Sequence, residues 1–107
     1  MHIQIVNFNL SGMTEAEYGD ACEQQFAALF RDVPGLAQKV WLSSPETNTY
    51  GGVYTWDSRE AMLEFQTTPL FQAVISHPNL TNLRSTDFGI LEAPTRVTRG
   101  LLETAVR

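Results

Sequence analysis

Three side chains in this sequence are suited to carrying a proton or holding a polar oxygen: the Asn7 amide, the Tyr54 phenol and the His77 imidazole. With Asn9 and Asp87 they fall on or beside apolar runs, where a donor or base would work away from bulk water. Trp41, Tyr54, Trp56, Phe65, Phe71 and Phe88 supply enough aromatic surface to wall a flat ligand. Each group also has a plainer reading. Asn7 and Asn9 share a face with Ile3 and Ile5, where an amide closes a strand end by hydrogen bonding. Aromatics at strand and helix spacing form ordinary core. His77 stands before Pro78 at a helix end, where the dipole favours an imidazolium cap. Cys22 lies in an apolar stripe and is explained by packing.

A second signal is the Gly51-Gly52 pair inside an otherwise apolar, alternating run. Glycine weakens a strand, so two in succession imply that a ligand, a partner chain or a bulge comes close to the backbone. Phosphate binding is not the reason. The pair sits within a strand and lacks the strand-to-helix placement of a nucleotide loop, and no GxGxxG or P-loop pattern occurs elsewhere. His2 and His77 are the only histidines, and neither has metal-ligand spacing, so neither a metal site nor a cofactor site is expected.

Composition narrows the classes further. The chain has 107 residues, enough for one domain, and a net charge of -5. No Lys/Arg run exists, so nucleic acid is disfavoured as a partner. Residues 1–83 hold three basic and nine acidic side chains, and residues 84–107 hold four Arg and three acids. A single cysteine excludes an intrachain disulfide and makes a reducing cytoplasm the simplest setting. There is no apolar stretch of membrane-spanning length and no signal-peptide order at the N-terminus, so no membrane association is expected.

The elements that must position these residues can be read from periodicity. Ile3 to Leu10 alternates with apolar residues on both faces, as a strand covered on both sides should. Thr14 and Glu17 have capping-box spacing, and Tyr18, Cys22, Phe26, Leu29 and Val33 form an apolar stripe, predicting a helix over Glu15 to Asp32 that stops at Pro34-Gly35. Leu36 to Ser43 and Thr49 to Trp56 read as a hairpin around the Pro45 to Asn48 turn. Asp57 and Glu60 repeat the capping-box spacing ahead of a helix from Arg59 to about Gln66, and a further short helix spans Leu70 to Ser76. Thr81 to Glu92 reads as the fourth strand. The order β-α-β-β-α-β predicts an α+β, ferredoxin-like domain with an antiparallel sheet over residues 1–93. The tail, 94–107, carries Leu101-Leu102 and Ala105-Val106, an apolar cluster able to dock on its own domain or a partner chain.

Several of these residues together carry a resemblance. Pro34-Gly35-Leu36, Lys39-Val40-Trp41, Glu46 and Asn48 in the turn, Gly51-Gly52-Val53-Tyr54 and a helix opening with Ala61 resemble the YdhR-like monooxygenase family. That family belongs to the dimeric α+β-barrel superfamily, beside the antibiotic-biosynthesis monooxygenases. The resemblance covers about residues 3–92. It implies a homodimer whose sheets pack face to face, with a cavity between sheet and helices in each subunit. It also implies oxidation of phenolic or polycyclic substrates without metal or flavin. Such a cofactor-independent monooxygenase needs a base or donor for a substrate phenolate beside an apolar pocket that keeps water from a carbanion-like intermediate. Asn7, Tyr54 and His77 are the candidates for that role, with Asn9, Trp41, Trp56, Phe65, Phe71 and Phe88 lining the site of a small aromatic or quinone-like molecule.

Haem-degrading members of the superfamily use an Asn on the first strand and a Trp and a His on the second helix. Here Asn7 is in the right region, Phe65 occupies the Trp position and His77 falls after the helix, so haem is disfavoured. The alternative class is a non-catalytic dimeric protein that binds a small apolar ligand or serves as an accessory subunit. Oxygen uptake distinguishes the two.

Overall fold

The computed structural model describes residues 1–101. From Leu102 on, the tail whose docking the sequence suggested lies outside the described residues. Four strands, β1 (His2–Leu10), β2 (Leu36–Ser44), β3 (Thr49–Trp56) and β4 (Leu80–Gly89), form one sheet in the order β2-β3-β1-β4. Every neighbouring pair is antiparallel. Five short helices accompany the sheet: α1 (Glu15–Ala21), α2 (Ala27–Arg31), α3 (Arg59–Phe65), α4 (Pro69–Ile75) and α5 (Glu92–Val97). This is the ferredoxin-like α+β arrangement.

The register decides which residues meet the helices. Gln4 pairs with Tyr54, Val6 with Gly52 and Phe8 with Tyr50, so these six share one face, and Lys39 and Trp41 of β2 join it opposite Tyr54 and Gly52. Along β1 that face is buried at every second residue from His2 to Leu10. Its core of Val6, Phe8, Leu10, Tyr50, Tyr54 and Trp56 closes on Phe30, Met62 and Phe65 from the helices. Ile3, Ile5 and Asn7 point the other way, beside Thr55, Val53 and Gly51. Among the described residues no helix covers the apolar surface there, with Val40 47% and Phe88 54% exposed.

Local signals account for most boundaries, and the departures have physical causes. The Thr14/Glu17 capping box forms with both its bonds. The next cap is Ser58 instead of Asp57: its hydroxyl accepts from the Ala61 N–H, because a serine at that position satisfies an otherwise orphaned donor. The expected single helix over Glu15 to Asp32 is interrupted by a π-helical turn at Cys22–Phe26. The fourth strand stops at Gly89, short of the expected Glu92, which instead opens α5. Pro94 is tolerated in that first turn because its missing N–H has no helical partner there, and Glu92 accepts a hydrogen bond from Arg96 at 2.6 Å.

Candidate functional site

The site is built where the π turn faces β2 and β3. Phe8, Tyr18, Cys22, Phe26, Phe30, Lys39, Trp41, Tyr54 and His77 are among the residues enclosing a cavity of about 40 Å³ under the helices. Tyr18, Cys22 and Trp41 also belong to an adjoining groove of about 410 Å³ that continues over Glu15, Glu23, Ser43 and Tyr50. The two spaces share Tyr18, Cys22 and Trp41 as lining, so the chamber lies directly beside the groove.

The polar centre of the chamber is the Lys39 amine. Its nitrogen sits 3.2 Å from the centroid of the Phe30 ring, 3.5 Å from Trp41 and 4.6 Å from Tyr54. Three aromatic faces thus hold a cation that forms no salt bridge among the described residues. Burial pushes the amine down to about 7, with a smaller opposing pull from Cys22. Around it the acids keep their protons. Burial raises Tyr18, helped by its neighbour Cys22, and burial raises both Tyr54 and the Cys22 thiol. The chamber therefore combines an amine close to half-protonated at neutral pH with hydroxyl and thiol donors. It can accept a proton from a bound acid and then face the anion with a charge.

The glycine pair builds this chamber in two ways. A Cβ on Gly51 would run into the Val6 carbonyl oxygen, and its φ of +149° suits glycine alone. Gly51 lets β3 approach β1. A Cβ on Gly52 would stand 3.0 Å from Cε of Lys39, so the missing side chain leaves the floor on which the lysine lies. Lys39 also borders a groove of about 230 Å³ beside Ala27, Arg31 and Gln38 along the sheet edge.

Of the residues expected from sequence to form the site, Tyr54, His77 and Trp41 line the chamber together. His77 Nδ1 accepts from the Asn79 N–H at 3.1 Å, which fixes the ring at the end of α4. Trp56 and Phe65 stand behind the wall as core: Trp56 is 0% exposed, stacks on Tyr54 at 5.9 Å and contacts Phe65 at 5.3 Å. Its Nε1 donates to Gln4 Oε1 at 3.0 Å, and Gln4 donates in turn to Ser85 Oγ at 2.9 Å. Phe71 packs edge-on against Phe65.

Asn7, Asn9 and Phe88 are not brought to this chamber. Asn7 falls opposite Gly51 and Arg84, on the sheet face turned away from the helices, and Phe88 falls opposite Ile3 on that same face. Period-two alternation forces this, since Phe8 is inside. Asn9 ties loops together, donating to the Asn48 carbonyl at 2.7 Å and accepting from Asn82 at 3.0 Å. Asp87 is held 2.6 Å from His2 Nε2. Among the described residues no group of three His, Cys, Asp or Glu side chains gathers for a metal.

Lys39, Tyr18 and Cys22 were the site residues missed from sequence. One signal could have found the first. Of the seven basic residues six are arginines, and Lys39 is the sole lysine. A chain that uses arginine everywhere else has put its one side-chain amine beside the aromatic wall.

Known proteins match this arrangement. A family profile described as "Putative mono-oxygenase ydhR" matches residues 3–101. Among solved structures, one described as a putative antibiotic biosynthesis monooxygenase from Deinococcus radiodurans aligns with a TM-score of 0.69 at 22% identity, over 87% of this chain and 95% of the other. The cofactor-independent oxygenase SnoaB of Streptomyces nogalater, solved as a point mutant, aligns with a TM-score of 0.65 at 22% identity, over 85% and 94% of the two chains. A monooxygenase from the gene ActVA-Orf6 of Streptomyces coelicolor, solved with Nanaomycin D, gives a TM-score of 0.64 at 20% identity over 83% and 86%. At these identities the likeness is one of fold. No curated protein matches the chain.

Proposed function

From the premise that this chain belongs to the ydhR mono-oxygenase family, we propose that it oxidises a small hydroxy-aromatic compound with dioxygen, without a cofactor, at the Lys39 chamber. The observation that carries the reading is an amine caged by three rings, in a small chamber that shares Tyr18, Cys22 and Trp41 with a groove of about 410 Å³. The substrate ring lies against Trp41 with its hydroxyl directed at the amine. Lys39 takes the phenol proton and, as an ammonium, stabilises the phenolate beside it. Tyr18 and Tyr54 retain their protons and donate hydrogen bonds to the developing anion. The electron-rich ring carbon then transfers electrons to dioxygen and forms a C–O bond. Loss of water from the resulting hydroperoxide leaves a quinone: one oxygen atom stays on the substrate, one departs as water, and the substrate is the only reductant.

The open sheet face fits a second copy of the chain. Ile3, Ile5, Val40, Val53 and Phe88 form an apolar surface that water would otherwise cover. Pairing two such faces buries both, and leaves each chamber behind its own sheet.

Oxygen uptake by the purified protein on adding a polycyclic dihydroxy-aromatic tests the catalytic reading. Uptake is expected, reduced at least about 100-fold by Lys39→Met, the lower range for loss of a general base. Asn7→Ala, on the other face, leaves the rate unchanged. Saturable binding with no uptake would replace the enzyme by a ligand-binding protein.

A further inference from the structure

The chamber holds more chemistry than proton transfer requires. We propose that Lys39 is a nucleophilic amine that captures aromatic aldehydes as imines, with the aldehyde ring in the adjoining groove. The proposal uses the same chamber as the oxygenase reading and needs neither dioxygen nor a phenol.

Geometry supports it from three sides. The amine ends in a cavity of about 40 Å³, room for a carbonyl group but not for a ring, and the ring has the groove beyond Tyr18, Cys22 and Trp41. Phe30, Trp41 and Tyr54 keep bulk water off the nitrogen, and a desolvated amine is the recurring setting of Schiff-base lysines. The other nucleophile in the chamber is suppressed, because burial keeps the Cys22 thiol protonated.

The groups facing Lys39 are Tyr18 and Cys22 from the first helical segment, Tyr54 from β3, His77 from the end of α4 and Arg31 of α2, itself paired with Asp32, across the edge groove, with Glu15 and Glu23 farther out along the larger groove. The nitrogen lone pair attacks the carbonyl carbon, and the carbonyl electron pair moves to oxygen, which takes a proton. The nitrogen gives up both its protons, which replace the one taken by the oxygen and supply the second that lets the hydroxyl leave as water, and the C=N bond closes. One water is released and nothing is oxidised or reduced. Tyr18 and Cys22 hydrogen-bond the oxygen as it develops charge.

The sequence makes the experiment clean. With one lysine, the full chain presents only two primary amines, Lys39 and the terminal amino group. The intact protein is incubated anaerobically with 4-hydroxybenzaldehyde and cyanoborohydride between pH 6 and 10, and the reduced adducts are located by peptide mass mapping. The expected result is an adduct on Lys39, formed at pH 6 about two thousandfold faster than on the side chain of Nα-acetyl-lysine amide, in proportion to the neutral amine available. Its rate should level off above pH 7 to 8. Lys39→Arg abolishes that adduct and leaves the terminal one.

An adduct at Met1 alone would overturn the proposal, as would a Lys39 rate no faster than the model amine or still climbing at pH 10. Absence of oxygen uptake with hydroxy-aromatics leaves this result standing. Absence of the adduct leaves the oxidation standing, so the two failures are distinguishable.

Discussion

The two faces of the sheet are made from the same four strands and treat polar residues in opposite ways. On the helix side Gln4 is 0% exposed and its amide is satisfied by Trp56 and Ser85, while Lys39 has rings where a carboxylate would be expected. On the other side Asn7 and Arg84 lie among Ile3, Ile5, Val53 and Phe88, with no helix above them among the described residues. A satisfied buried amide holds the fold, whereas a half-buried amine without an anion is the feature on which the proposed chemistry rests. The difference separates the face proposed to do chemistry from the one proposed to associate.

The strongest way to break this contrast is at the glycine that joins the faces. Gly51→Ala drives a methyl group into the Val6 carbonyl, and should cost about 3 kcal/mol or more, through strain and lost β1–β3 pairing. Thermal or urea unfolding measures it; a loss below about 1 kcal/mol would mean that β3 does not depend on the close approach.

A charge on the open face comes next. Phe88→Glu should abolish the proposed pairing, giving a monomer in sedimentation at micromolar concentration while the Lys39 chamber keeps its reactivity. A wild-type chain that sediments as a monomer would remove the association half of the contrast.

The pH dependence of stability separates the faces without touching the fold. Lys39 is held down to about 7 when folded, so between pH 7 and its unfolded value near 10.5 the unfolded chain binds the extra proton. This group's contribution to stability therefore rises with pH through that window and is lost as pH falls toward 7, with a slope of at most about 1.4 kcal/mol per pH unit. The raised Cys22, Tyr18 and Tyr54 act in the opposite sense at higher pH, because the unfolded chain releases their protons first. Denaturant midpoints should climb between pH 7 and 9 in the wild type. They should climb less in Lys39→Met.

Gly52→Ala is the mildest test. Its methyl would meet Cε of Lys39 at 3.0 Å and the Val40 carbonyl oxygen at 3.3 Å, contacts that a shift of a few tenths of an ångström relieves. Stability should fall by about 1 kcal/mol, while the lysine shifts within its cage and reacts more slowly with aldehyde.

Much of the fold was legible because its signals are local. The alternation of β1, the Thr14/Glu17 box and the turn around Pro45 to Asn48 each specify their element within a few residues. The site was less legible because it depends on which face the helices choose. Both faces of Ile3 to Leu10 carry apolar residues, so alternation separated Asn7 from Phe8 without saying which was inside. The apolar stripe put Tyr18, Cys22 and Phe26 on one covered face, but the π turn within it and the pairing of that face with Lys39 have no local side-chain signal. The Gln4–Ser85 bond joins residues 81 positions apart and has no short-range trace. Lys39 reads as part of a strand motif, yet its singularity among the basic residues was the clue to its role.

Because Lys39 is the one lysine, a sample labelled with ¹³C-lysine gives a single side-chain Cε resonance, and following it from pH 5 to 11 reads the amine directly. An amine caged by three rings should titrate near 7, moving upward in Gly52→Ala as the side chain shifts within its cage. Titration near 10.5, the value of an ordinary solvated lysine, would contradict it.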